Sequence, residues 1–226
     1  MRVLGIDTAT RHASIGLYED NGTLIEQTDE ATRSHATTAL PLIERVLSEA
    51  GIGIGDVDAI AVSSGPGAFS GLRIGLSIAK GLACATGAHL VGVSTLEALA
   101  HVVRDRQGTV CTLLDARKGE VYAACFDVSP DAVKRRWKDE VTTAEALVTR
   151  LPRPCIIVGD AEDAYGAFLR SHLGSEIEFL GFDEYGPRGG VVAKLGADAV
   201  RAGRIVDPIQ LEPVYIRSSE AEQLFG

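Results

Sequence analysis

Two aspartates close apolar strand patterns, Asp7 in GIDTAT and Asp115 in LLDARK, and each is followed by a polar turn and a second apolar run. A carboxylate so placed can order water around Mg²⁺, while the Thr8 hydroxyl and the backbone N–H groups of the turn hold phosphate oxygens. The same residues have a plainer use. An Asp at a strand end fixes a turn by hydrogen-bonding backbone two residues on. Both readings are open on these residues alone. A nucleotide-binding reading would add the Gly159-Asp160 turn as a third contact.

The stretch SSGPGAFSGLRIGLSIAKGLACATG, from Ser63 to Gly87, joins an apolar strand to a helix. Its loop opens a helix, so the helix N-terminus could take an anion. It lacks both the G-x-x-x-x-G-K-[ST] of a P-loop and the G-x-G-x-x-G of a dinucleotide site, and Lys80 lies nearly three turns too late. Gly71, Gly75 and Ala79 recur four residues apart, where better helix formers would normally stand. This spacing predicts a helix face pressed against a neighbour, most simply another helix of the same or a second protein.

Other constellations are missing. The five histidines form no H-x-x-x-H pair and no H-E-x-x-H, and no serine sits in a G-x-S-x-G elbow. Cys84, Cys111, Cys125 and Cys155 have no C-x-x-C spacing and lie in apolar runs, which predicts free buried thiols. The run Lys134-Arg135-Arg136-Trp137-Lys138 mixes base and aromatic as a nucleic-acid groove does. On an edge strand it would instead keep that edge soluble.

The elements that must position these residues follow from periodicity. Strands are expected at 2–7, 13–19 and 23–29, with Asn21-Gly22 as a hairpin turn. A helix capped by Ser34 should run from about His35 to Ala50, with Leu40, Ile43 and Leu47 in its apolar stripe and Pro41 loosening its first turns. A strand at 58–63, the glycine-rich helix, a strand at 89–93 and a helix opened by Ser94-Thr95-Leu96-Glu97 complete the order βββαβαβα. The second half repeats it. Strands are expected at 111–116, 120–128 and near 133–141, then a helix capped at Thr142-Thr143, a strand at 155–158, a helix at 160–172, a strand at 177–180 and a last helix at 190–203.

GIDTATRHASIGL and LLDARKGEVYAACF share an apolar strand ending in Asp, a polar turn and an apolar strand, so Asp7 and Asp115 occupy equivalent places. Two lobes, 1–107 and 108–226, are therefore expected, dividing near Gln107-Gly108. The PVYIR run at 213–217 is apolar enough to dock back on the body, and an acidic end follows it.

The chain has 226 residues, 46% hydrophobic and 23% charged, with a formal net charge of −9, the balance of an ordinary globular protein. Such acidity argues against this chain alone gripping nucleic acid. No signal-peptide pattern opens it, and no apolar segment approaches the roughly 20 residues of a membrane span. A cytoplasmic protein is expected.

Taken in order, GIDTATRHASIGLYEDNG, RSHATTALPLIERVL, SSGPGAFSGLRIGLSIAKGLA, GVSTLEALA, LLDARKGEVYAACF and PVYIR resemble the bacterial TsaB (YeaZ) family over nearly the whole chain. The resemblance implies an α/β actin-like fold (ASKHA, ribonuclease H-like) of two duplicated lobes. It implies the dimerization subunit of the complex that forms N6-threonylcarbamoyladenosine (t6A) at A37 of tRNA: a non-catalytic partner that heterodimerises with the catalytic paralogue TsaD. TsaE acts in the same pathway. A homodimer forms when the partner is absent, tRNA is met only through the complex, and no cofactor or metal of its own is implied. The implied contact uses the two first-lobe helices. Here that means Leu40, Ile43 and Leu47 on one, and Gly71, Leu72, Gly75, Leu76, Ile78, Ala79 and Leu82 on the other.

The paralogue carries H-M-E-G-H, whose histidines hold its metal, where this chain has Thr95-Leu96-Glu97-Ala98-Leu99. Neither Thr95 nor Leu99 replaces a histidine ligand. Two other classes compete. An ATP-using phosphotransferase of the actin-like superfamily would bind nucleotide through Asp7, Thr8 and Asp115, and a metallopeptidase is disfavoured by the missing histidine pair.

Overall fold

The computed structural model describes residues 1–29, 34–186 and 188–216. Arg33, which opens one of the motifs above, and the acidic end beyond 216 lie outside the described residues. The chain forms two compact units, Met1–Ala98 with Pro187–Pro213, and Leu99–Gly186 with the chain from Val214.

The first unit is built on a five-stranded sheet. Strands β1 (Arg2–Asp7), β2 (Ala13–Glu19) and β3 (Leu24–Asp29) form an antiparallel trio, joined through the Asn21-Gly22 turn. Helix α1 (His35–Ala50) begins where the Ser34 side chain accepts the Ala36 N–H and runs on through Pro41. It stops at Gly51, whose φ of 68° is the left-handed turn that a side chain would resist. Strand β4 (Ala59–Gly65) leads into α2 (Phe69–Thr86), and β5 (His89–Ser94) into α3 (Thr95–Val102), whose Glu97 N–H bonds the Ser94 hydroxyl. The sheet order is β3-β2-β1-β4-β5, with β4 parallel to β1 and to β5.

Period-two alternation divides the sheet between two cores. Leu4, Ile6, Ile60 and Val62 face α1 and α2, packing with Ile43, Val46, Leu72 and Leu76. Val3, Ala59, Ala61 and Val93 face the opposite way, against Val192, Ala193 and Ala197 of the chain's last helix.

The second unit holds a six-stranded sheet ordered β11-β10-β6-β7-β8, with β9 also paired to β7. Its members are β6 (Gly108–Arg117), β7 (Glu120–Val128), β8 (Val133–Arg135), β9 (Glu140–Thr143), β10 (Cys155–Val158) and β11 (Ile177–Leu180). The third strand expected at 133–141 is thus two short strands. Helix α4 (Ala144–Arg150) starts at a Thr143 cap, and with α5 (Ala161–Leu173) it covers one sheet face through Leu147, Leu169 and Leu173. Helix α6 (Phe182–Tyr185) is a single turn.

The last helix, α7 (Gly189–Arg201), corrects the expected boundary at 107/108. It belongs to the first unit, because its small residues fit only there. A Cβ on Gly5 would lie 2.0 Å from the Gly189 oxygen, and one on Gly16 would lie 2.2 Å from the Gly190 nitrogen. The helix therefore lies on β1 and β2 backbone to backbone. Beyond α7, the Val206 N–H bonds the Leu90 oxygen and Leu211 enters the first core. The segment that docks on the sheet is this one rather than PVYIR, where Val214 is 49% and Tyr215 42% exposed. Arg217 lies outside the described residues.

Candidate functional site

Asp7 ends β1 opposite Ser14 of β2 and is wholly buried. One carboxylate oxygen accepts the Ala9 N–H at 3.0 Å, and Oδ2 has no hydrogen-bond partner. Burial pushes this carboxyl above the ordinary carboxylate range, against the opposing pull of the Ala9 N–H, Ser63 and His35. Next to it, Ser14 Oγ accepts the Gly189 N–H and Glu26 Oε2 accepts the Gly190 N–H, so the start of α7 is held by oxygen acceptors of its own unit. Burial likewise raises the Glu26 carboxyl, opposed by the Gly190 N–H and Arg188.

Thr8 is 2% exposed, and its hydroxyl donates to the Gly71 oxygen at 2.8 Å. The Ala68 N–H bonds the Ala9 oxygen at 2.7 Å, and a Cβ on Gly67 would lie 2.4 Å from that same oxygen. The glycine-rich loop thus sits down on the Thr8-Ala9 turn. Asp7 and Thr8 are thus both buried, and the Thr8 hydroxyl is engaged within the protein.

The equivalent turn in the second unit is also a fixed structure. Asp115 Oδ1 accepts the Arg117 N–H at 2.8 Å, its Oδ2 pairs with the Arg117 guanidinium at 3.1 Å, and the Tyr165 hydroxyl reaches Oδ1 at 3.5 Å. The Asp115 N–H in turn donates to Asp160 Oδ1. The carboxylate is engaged in holding the β6–β7 turn, whose residues Arg117 and Lys118 both have positive φ. Among the described residues no three His, Cys, Asp or Glu side chains are grouped to hold a metal ion. Thr95 and Leu99 are buried at 0% and 1% exposure.

The predicted helix contact divides sharply by burial. Gly71, Leu72, Gly75, Leu76 and Ala79 face the protein's own sheet, as do Ile43 and Leu47 of α1. A Cβ on Gly75 would lie 2.4 Å from Thr8 Oγ1 and 3.5 Å from a Val62 methyl, so the small-residue face admits β1 and β4, not a second protein. That corrects the reading of these seven residues as an intermolecular surface: the close neighbour is the sheet. Leu40 is 48% exposed, and Ile78 and Leu82 are half-buried at the rim of the same core.

The outward side of α2 adds residues that the small-residue pattern did not single out. Phe69 is 45% exposed with the Arg73 guanidinium 3.8 Å over its ring, and Ile74 is half-buried. The signal was present, because Ile74, Ile78 and Leu82 are four residues apart, a second apolar stripe beside Leu72, Leu76 and Ala83. Between β3 and α1 an open groove is lined by Gln27, Pro41, Glu44, Arg45, Ser48 and Glu49, too shallow to enclose a small molecule.

Comparison with known proteins decides the kinship. Residues 25–163 match the family model described as TsaD, tRNA N6-adenosine threonylcarbamoyltransferase. Over its length the chain is 31% identical to the tRNA threonylcarbamoyladenosine biosynthesis protein TsaB of Escherichia coli, covering 98% of this chain and 96% of that one. The chain belongs to the TsaB (YeaZ) family. A YeaZ-like protein of Pseudomonas aeruginosa superposes with a TM-score of 0.81 at 28% identity, over 96% of this chain and 99% of that one. The tRNA N6-adenosine threonylcarbamoyltransferase of Cereibacter sphaeroides is 35% identical over 74% of this chain, which spans only 50% of it.

The TsaB-type chain therefore shares its core with a transferase and is much the shorter of the two. Its fold is of the actin-like ASKHA class. Component A of the (R)-2-hydroxyglutaryl-CoA dehydratase of Acidaminococcus fermentans shares it with a TM-score of 0.51 at 13% identity, over 86% of this chain and 96% of that one. No helix of the described residues is long and apolar enough to cross a membrane.

Proposed function

We propose that this chain is the non-catalytic subunit of the cytoplasmic machinery that forms t6A at A37 of tRNA, and that it acts by pairing with the catalytic paralogue TsaD. The observation that carries this reading is the apolar outward side of α1 and α2. Leu40 and Phe69 stand exposed there, beside half-buried Ile74, Ile78 and Leu82. Large exposed apolar side chains on neighbouring helices favour a protein contact. The paralogue's matching helix pair would pack on this side, and a second copy of this chain would cover it when the paralogue is absent. TsaE would join the assembled pair, and tRNA would be met only there.

The burial of Asp7 and Thr8 supports an accessory role over a phosphotransferase, which would need both residues open to nucleotide. The test is reconstitution of tRNA modification with TsaD, with and without this chain. Stimulation of TsaD, with no modification by this chain alone, is the expected outcome; activity of this chain alone, or no stimulation, overturns the proposal.

A further inference from the structure

Three cysteines with no part in the contact above lie together in the second unit. Cys111 on β6 and Cys125 on β7 are register partners across an antiparallel pair, both 0% exposed, with their sulfurs 2.9 Å apart. On the other side of β6, β10 runs parallel with Ile157 opposite Cys111. Cys155, two residues before Ile157, points to the same face. Cys155 thus lies one pleat along β10 from the residue opposite Cys111, on the sheet face that Cys111 shares with Cys125. All three sit in the core with Leu113, Ala123 and Ile157, whereas Cys84 is exposed and belongs to the first unit.

The sheet already supplies the geometry of a bond. Direct cross-strand partners have Cα atoms about 4.5–5.5 Å apart, within the roughly 4.4–6.8 Å span of disulfides. The three sulfurs are also unlike one another. Cys155 alone of the three keeps some exposure, 5%, and the Cys111 thiol, with the Arg153 charge, favours its thiolate against the opposing effect of burial. Cys111, against the Cys125 sulfur, beside Cys155 and buried, is held as the thiol. A slightly exposed sulfur beside a fully buried pair is the arrangement of an entry sulfur and a resolving pair.

We propose that Cys111, Cys125 and Cys155 form a peroxide-oxidisable site, with Cys155 as the entry thiol and a Cys111–Cys125 disulfide as the product. The Cys155 sulfur attacks one peroxide oxygen, the O–O bond breaks, and hydroxide leaves a sulfenic acid behind. The Cys111 sulfur then attacks the Cys155 sulfur, the S–O bond breaks, and water departs with the Cys111 proton. Cys125 next attacks the Cys111 sulfur and displaces Cys155 as thiolate, and the Cys125 proton neutralises the hydroxide. One hydrogen peroxide is reduced to two waters while two thiols become one disulfide.

The experiment treats the full chain carrying Cys84→Ala with hydrogen peroxide and follows intact mass and the non-reduced peptide map. Expected are the loss of two hydrogens, a Cys111–Cys125 cross-linked peptide reversed by dithiothreitol, and dimedone capture of a sulfenic acid at Cys155. Cys155→Ala and Cys155→Ser, each checked for native circular dichroism, should slow the cross-link about tenfold or more. Three thiols left fully alkylatable, a Cys111–Cys155 end product, or an undiminished rate in both Cys155 variants overturns the proposal. The chain carrying Cys84→Ala alone decides the disulfide and the dimedone site even if neither Cys155 variant folds.

Discussion

Asp7 keeps a carboxyl group where water does not reach, and its second oxygen finds no hydrogen bond. Burial raises its proton affinity above that of the unfolded chain. The folded state then holds this proton more tightly than the unfolded one, so the stability it confers is complete below the ordinary carboxylate value. It is lost as pH rises through the higher folded value. Asp7→Asn fixes the neutral form and should stabilise the protein at neutral pH by about 1–3 kcal/mol, with the difference vanishing in acid. Thermal unfolding of both proteins across pH checks this, and a difference that grows in acid would contradict it. Gly16 presents the opposite case, since nothing there titrates and everything is steric. With backbone of α7 2.2 Å from any added Cβ, Gly16→Ala should cost at least about 2 kcal/mol in urea unfolding.

Among the elements, α1 and α2 carry both the core of the first unit and its candidate contact. The Ser34 side chain satisfies one of the orphan N–H groups of α1, and Ser34→Ala should lower stability by about 1 kcal/mol, measured by denaturant midpoint. On α2 the inner stripe holds the sheet, and the outer stripe is the one proposed to meet a partner. Gly75→Arg is therefore a poor probe of association, because its Cβ would already strike Thr8 and the first unit would lose its packing. Ser77→Arg and Leu40→Asp, both at exposed positions, should leave circular dichroism and Tm close to the parent's. Each should weaken co-purification with the paralogue at least about tenfold, as an interfacial charge would. Association unchanged in both variants would remove α1 and α2 from the interface.

For the whole molecule, the first unit is not continuous in sequence. Residues 1–107 alone would leave Val3, Ala61 and Val93 without the helix that covers them, and should be aggregated or molten. Residues 1–98 joined by a flexible linker to 187–213 should instead unfold cooperatively, as followed by calorimetry. The order βββαβαβα of the first half, and its repeat apart from the split third strand and the last helix, was legible in the sequence because periodicity, caps and turns are local properties: the Ser34 and Thr143 caps, the Asn21-Gly22 turn and the paired strand-end aspartates all stand where their neighbours in sequence require.

Which neighbour a face meets is a different kind of fact. Gly71, Gly75 and Ala79 announced a close approach without naming its partner, and only the fold shows β1 and β4 there. Gly5, Gly16, Gly189 and Gly190 lie far apart in the chain, so no window of sequence could reveal that they meet. By itself the sequence determined most of the elements, much of their order and the kinship. The tertiary structure alone decided that the last helix covers the first sheet and that Asp7 and Thr8 are buried, because burial depends on contacts between segments remote along the chain.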